Sequence, residues 1–256
     1  MKIPPRPLYI DSHCHLDDPR VDFVVAVQKA VACGVEGAVV PGYVPERWPR
    51  QSELVLAESA FRIWGALGIH PWTLEKSRPA GFYVEELEQG FLRYASDWGK
   101  RLVAVGEFGL DRARSKDSTL LELQEAVFRS HLKLARQHQL PVILHLVRAD
   151  GVAQRLLQEL PPAQGVIHGF SSHPETVPAY AEMNLSFGFG AGLLHFPKVR
   201  QALKVTPPDR VMFETDDPIG PHSLEDILQT ASQVLGKSVE YLRTLHGENC
   251  ARVFRL

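Results

Sequence analysis

Cysteine is scarce. The 256 residues hold three, Cys14, Cys33 and Cys250, far apart and never as CxxC. Neither a disulfide framework nor a thiolate zinc site finds support, and the simplest setting is a reducing compartment. Long apolar runs are missing as well. No stretch of about 20 apolar residues is present to span a bilayer, and the opening MKIPPRPLYID lacks the apolar run of a secretory signal. These absences lead us to expect a soluble, cytoplasmic chain. Charge of one sign is not in excess either: 28 Lys and Arg against 30 Asp and Glu leave a net −2. Nothing global would draw the chain to nucleic acid or to an acidic membrane, so a polyanion would need a local basic patch or bound cations. A phosphate-cradling glycine loop and a Ser-His-Asp order are also absent.

What the chain does have is an alternation of short apolar runs with longer amphipathic ones. LYIDSHCHL, VEGAVVP, IWGALGIH, LVAVGEFGL, PVILHL, GVIHGF, LSFGFG and RVMFETD read as strands, bounded by Gly, Pro or charge. VDFVVAVQKAVACG reads as a helix stopped near Gly34, and the longest helical pattern runs from about Ser118 to Gln139. PETVPAYAEM opens with a proline suited to a first turn, whereas LLHFPKVRQALK offers only a short helix. Eight strand–helix units in 256 residues fit a (β/α)8 barrel, which takes about 250 residues; a doubly wound open sheet is the alternative. No repeat, linker or composition break divides residues 1–256, so one barrel domain is expected.

The polar residues fall at matching places. In a strand, residues two apart share a face, so His13 and His15 point together and Cys14 points away. The third strand ends in His70, the fourth in Glu107, the fifth in His145, the sixth in His168 and the eighth in Asp216. Barrel enzymes carry their chemistry at the C-terminal ends of the strands. Burying these groups unpaired would cost several kcal/mol. His13, His15, His145, His168, Glu107 and Asp216 together offer ligands for two divalent ions about 3.5–4 Å apart, and imidazole with carboxylate suits Zn, Mn, Fe or Ni better than Ca. His131, His138, His173, His195, His222 and His246 lie on helices or loops and are expected to be structural. Trp72, next to His70, is expected in the core or at the rim, with substrate contact as the alternative, and Arg112, Arg114, Arg148, Lys198 and Arg200 are expected on solvated faces, with the same alternative.

In order, YIDSHCHL, ALGIHP, VGEFGLD, LPVILH, IHGFS, FETDDP and NCARVF resemble the signature segments of the TatD-related metal-dependent deoxyribonucleases, and within them the YjjV-like branch. The resemblance spans Tyr9 to Phe254 and implies a distorted barrel of the amidohydrolase superfamily. It implies a hydrolase of phosphodiesters with a metal-activated water, a 3′–5′ exonuclease on single-stranded DNA, and a monomer. Carried over by position, His13 and His15 would hold one metal with Glu107 and Asp216. Glu107 would bridge to a second, Mg, Mn, Zn, Fe or Ni, held also by His145 and His168. Asp216 would act as base toward the attacking water and His70 would sit near the substrate phosphate; Glu214 would orient a ligand or serve a buried hydrogen bond. Two departures matter. Val147 stands where relatives carry arginine, with Arg148 one later, and the RGxxNxP-type loop after the eighth strand is missing, with Asp217 in place of the usual alanine. These departures keep open a metal-dependent hydrolase of a small phosphoester, lactone or amide, and a non-catalytic metal-loaded binding protein.

Overall fold

Eight short apolar segments pair edge to edge in chain order: β1 (Ile10–Asp11), β2 (Gly37–Val40), β3 (Arg62–Leu67), β4 (Leu102–Asp111), β5 (Val142–Val147), β6 (Gly165–His168), β7 (Leu185–Phe189) and β8 (Val211–Phe213). Every neighbouring pair is parallel. The computed structural model describes residues 6–256. Helices alternate with the strands: α1 (Phe23–Ala32), α2 (Trp48–Leu56), α3 (Ala80–Trp98), α4 (Ser118–His138), α5 (Asp150–Glu159), α6 (Val177–Glu182), α7 (Gly192–His195), α8 (Pro197–Val205), α9 (Leu224–Leu235) and α10 (Val239–Phe254). The expected (β/α)8 barrel is therefore the fold, with two short helices between β7 and β8. Side-chain caps begin several helices. Asp117 accepts from the Leu120 amide at α4, and Ser223 and Asp226 form a reciprocal capping box at α9. No helix among the described residues is long and apolar enough to cross a membrane.

Two apolar layers hold the barrel. One lies between strands and helices; β2 and all ten residues of β4 are buried, as strands covered on both faces must be. The other fills the interior: Ile10, Val39, Ala66, Ala104, Ile143, Val166 and Met212 form one cluster, joined by Cys250, Val253 and Phe254 of α10. Along several strands the next residue of the same parity is polar. Ile143 is followed by His145, Val166 by His168, and Met212 by Glu214 and Asp216. The apolar layer fills the base and the polar layer lies above it, toward the C-terminal ends.

β1 meets β8 irregularly. The strand predicted over LYIDSHCHL is regular only at Ile10–Asp11; beyond it the chain bends. Cys14 and Asp216 form an isolated parallel bridge, with Asp216 N donating to His13 O at 2.9 Å and His15 N to Asp216 O at 3.1 Å. A side chain completes the seam. The buried His246 ring accepts from Phe213 N at Nδ1 (3.0 Å) and donates from Nε2 to Ile10 O (2.6 Å). Burial lowers its pKa to about 4, so the ring stays neutral with the proton on Nε2. Replacing His246 by Gln is expected to cost about 1–3 kcal/mol for each backbone partner left unpaired. The unfolded chain takes up the His246 proton near pH 6.5 and the folded chain near 4. The wild-type advantage is therefore complete above about pH 6.5 and shrinks as pH falls toward 4. Urea unfolding of both proteins from pH 7.5 to 4 checks this; a difference that does not change with pH would refute it.

Four strand ends differ from the sequence reading: β3 stops at Leu67, short of His70, β5 runs past His145 to Val147, and β4 and β8 differ as well. β4 does not end at Glu107 but runs on to Asp111, pairing with β5 as far as Val147 beyond a register shift between Val105 and Phe108. β8 ends at Phe213, so Glu214 and Asp216 project from the segment after it.

Candidate metal centre

Glu107 is the centre of the polar layer. Its side chain is almost wholly buried, and its two oxygens serve different partners. Oε2 lies 3.3 Å from His13 Nε2 and 3.4 Å from His15 Nε2. Oε1 lies 2.7 Å from His168 Nε2, 2.9 Å from His145 Nδ1 and 3.2 Å from His70 Nε2. Asp216 faces the first group, with Oδ1 3.6 Å from both His13 Nε2 and His15 Nε2. All seven residues named from the sequence (His13, His15, His70, Glu107, His145, His168 and Asp216) are thus brought together. His70 Nε2 lies 3.2 Å from Glu107 Oε1, beside His145 and within one of the candidate ligand groups.

The electrostatics follow from crowding around one carboxylate. Burial alone would raise the Glu107 pKa, but the imidazoles of His168, His70 and His13 outweigh it and hold the group well below the usual range. Burial lowers His13 and lowers His70 to about 4. His15, His145 and His168 are pushed up despite burial, His15 and His168 chiefly by Glu107 and His145 by Asp111 and Glu107. Asp216 is pulled below its ordinary value by His168, His13 and His15, against its burial. The site is built to surround positive charge.

A cation fits the donors left over. Both ring nitrogens of His13, both oxygens of Glu107, and Nδ1 of His15 and His168 are buried without a hydrogen-bond partner, a costly arrangement in protein alone. Three ligand groups converge within reach of one ion each: His13 with Glu107 and His168, His13 with His15 and Asp216, and His70 with Glu107 and His145. These groups could hold metal.

Surrounding groups orient the rings. Glu214, fully buried, takes the Gly169 amide on Oε1, lies 3.4 Å from Ser12 Oγ, and sits 3.5 Å from His168 Nδ1. That leaves His168 Nε2 facing Glu107. Gly188 makes room for this carboxylate, since a Cβ there would lie 2.1 Å from Glu214 Oε2. Two carboxylates were not singled out from the sequence. Asp111 Oδ2 lies 3.4 Å from His145 Nε2 and accepts from Trp72 Nε1 at 2.6 Å, and the buried Asp17 lies 3.9 Å from His15 Nδ1. For Asp111 the signal was parity, four residues after Glu107 on β4; Asp17 lies in a turn, where strand parity gives no signal.

The remaining histidines stay outside the cluster. His131 is a buried brace, accepting from Ile69 N and paired with Val127 O. His195 and His222 approach each other at 3.1 Å on separate connections. Cys14 is buried behind the His13–His15 segment, its thiol pushed up by burial. Arg148 is exposed, with a left-handed backbone, and does not line the cleft. That cleft, about 430 Å³, opens above the cluster between Arg20, Tyr43, Arg47, Trp72 and Asp217.

Comparison with known proteins follows the same outline. The sequence model of the family described as TatD related DNase matches residues 10–255. The uncharacterized metal-dependent hydrolase YjjV of Escherichia coli K12 is 35% identical over 216 residues, covering 82% of this chain and 79% of the relative. The 3′-5′ ssDNA/RNA exonuclease TatD of a Rahnella species is 26% identical over 257 residues, covering 92% and 93%. Among solved structures, the YjjV crystal structure from E. coli superimposes with a TM-score of 0.85 at 26% identity, covering 97% of this chain and 98% of that one. With the barrel, the shared carboxylate and its imidazoles in place, the chain belongs to the TatD related DNase family of metal-dependent hydrolases.

Proposed function

We propose that this chain is a deoxyribonuclease that shortens single-stranded DNA from the 3′ end, working as a monomeric, cytoplasmic, single-barrel enzyme with two divalent ions. The observation that carries the reading is the division of Glu107, one oxygen toward the His13–His15–Asp216 side and the other toward His145 and His168. His13, His15, Glu107 and Asp216 would hold one ion; Glu107, His145 and His168 would hold the other. Bound there, such a pair lowers the pKa of water and neutralises phosphoryl oxygens.

The chain's own groups then have distinct tasks. Asp216, half-exposed at the cleft and ionised at neutral pH, accepts the proton of the attacking water. His70 is neutral, and its Nδ1 accepts from the Trp72 amide at 3.0 Å. Its proton is therefore on Nε2, 3.2 Å from Glu107 Oε1, from where the neutral ring can offer a hydrogen bond, but no proton, to a substrate phosphate oxygen. Glu214 and Asp111 keep His168 and His145 in their orientations.

A second reading, hydrolysis of a small phosphoester, lactone or amide, draws on the short connection from Asp216 to α9 and on the exposed Asp217 at the mouth. The test is incubation with end-labelled single-stranded DNA plus Mg or Mn, or with EDTA, beside a His145→Ala/Asp216→Asn double variant. Stepwise shortening that needs metal and is lost in the variant is expected. No cleavage by metal-loaded protein would overturn the nuclease reading and direct attention to small esters and amides.

A further inference from the structure

The cleft carries a pair of arginine–aromatic stacks that the hydrolytic chemistry does not use. Trp72 lies in the turn directly after His70, and 45% of its surface is exposed. Its indole is nonetheless fixed. Nε1 donates to Asp111 Oδ2 at 2.6 Å, and the Arg114 guanidinium lies 4.2 Å from the ring centroid. Asp111 also secures the arginine's segment, its Oδ1 accepting from the Ala113 and Arg114 amides. Across His70, Tyr43 stacks on that imidazole at 4.8 Å and carries Arg47 over its ring at 4.5 Å. Arg47 and Arg20 both pair with Asp18, which keeps them at the cleft.

Exposed indole gains nothing from water, and a ring clamped by a carboxylate and a guanidinium has little conformational freedom left to lose on binding. A flat, immobile aromatic surface beside cations is the arrangement that binds single-stranded nucleic acid, with bases stacked on rings and phosphates near arginines. Arg20, Arg47 and Arg114 bring three guanidinium groups beside the cleft, set among Asp18, Asp111 and Asp217. A lactone or small amide would have no use for this arrangement.

Resting on the nuclease reading above, we propose that Trp72, braced by Asp111 and Arg114, is the platform for the nucleobase next to the scissile phosphodiester, with Arg47 and Arg20 toward the adjoining phosphate. Trp72 is then a specificity-determining residue that separates oligonucleotides from base-free diesters.

The test compares two single-stranded oligonucleotides, one normal and one abasic at its two 3′-terminal positions, on the metal-loaded wild type, Trp72→Ala and Trp72→Phe. Wild type should favour the normal strand by about 5- to 150-fold in Kd and in kcat/KM, the range that one base–aromatic stack implies. Trp72→Ala should bring that ratio close to one, and Trp72→Phe should keep most of it. A merely structural role for Trp72 would weaken both strands alike and leave the ratio intact. That outcome, in a wild type that cleaves DNA, overturns the platform and leaves the nuclease reading standing. Absence of metal-dependent cleavage of either strand by wild type overturns the nuclease reading itself, and the platform with it.

Discussion

Replacing Asp216 by asparagine is expected to lower kcat by about 10²- to 10⁴-fold, the range general base catalysis contributes, while at least one metal ion per chain is retained. The side chain keeps its volume and an oxygen that can face His13 and His15, now 3.6 Å away. What it loses is charge and basicity. Its backbone is already committed: Asp216 N and O both bond to the His13–His15 segment, and φ is +64°. Asparagine tolerates that left-handed conformation as aspartate does, so the fold should survive. Single-turnover rates beside metal analysis of the same preparation separate the two effects. Near wild-type turnover would remove Asp216 from its assigned role.

Glu107→Gln should have the larger effect on metal content. Five imidazoles lie within 3.4 Å of this carboxylate, and glutamine offers them an oxygen and a donor but no charge. Metal stoichiometry should fall below one ion per chain, and turnover should vanish with it. The variant should also be less stable in EDTA. Glu107 is what pushes His168 up, and helps push up His145, against burial. Removing one partner from a buried ion pair typically costs about 3–5 kcal/mol. Thermal melts in EDTA at pH 6, where the raised imidazoles carry protons, would show the drop. An unchanged melting temperature there, with two ions still bound in metal-replete buffer, would show that Glu107 neither bridges nor organises the cluster.

Read along the chain, the fold was legible because its signals are local. Each strand is a short buried run, and along several of them the interior residue after the apolar one is polar at a step of two, as from Ile143 to His145 and from Val166 to His168. His13 and His15 were picked out on that same period, although the segment that carries them bends out of the strand after Asp11. Helix ends were local as well: the α4 pattern stopped within a residue of the observed His138. The short β1 was not legible, because Ser12 and His13 leave the strand to meet Phe213 and Asp216, some 200 residues away.

The sequence by itself therefore determined the barrel, the parity of its strands and the membership of the polar layer, since a period of two or 3.6 is fixed by backbone geometry. Only the tertiary structure decided how that layer is divided. Glu107 is shared between imidazoles that lie on or just beyond β1, β3, β5 and β6, and β4 runs on to Asp111 past a register shift on β5. The direction of His70 depends on the Trp72 amide and on Glu107 from the neighbouring strand. The clamp on Trp72 needs Asp111 and Arg114, about 40 residues on. Such distances are set by strand register and barrel closure, which join residues remote in sequence and leave no periodic trace along the chain.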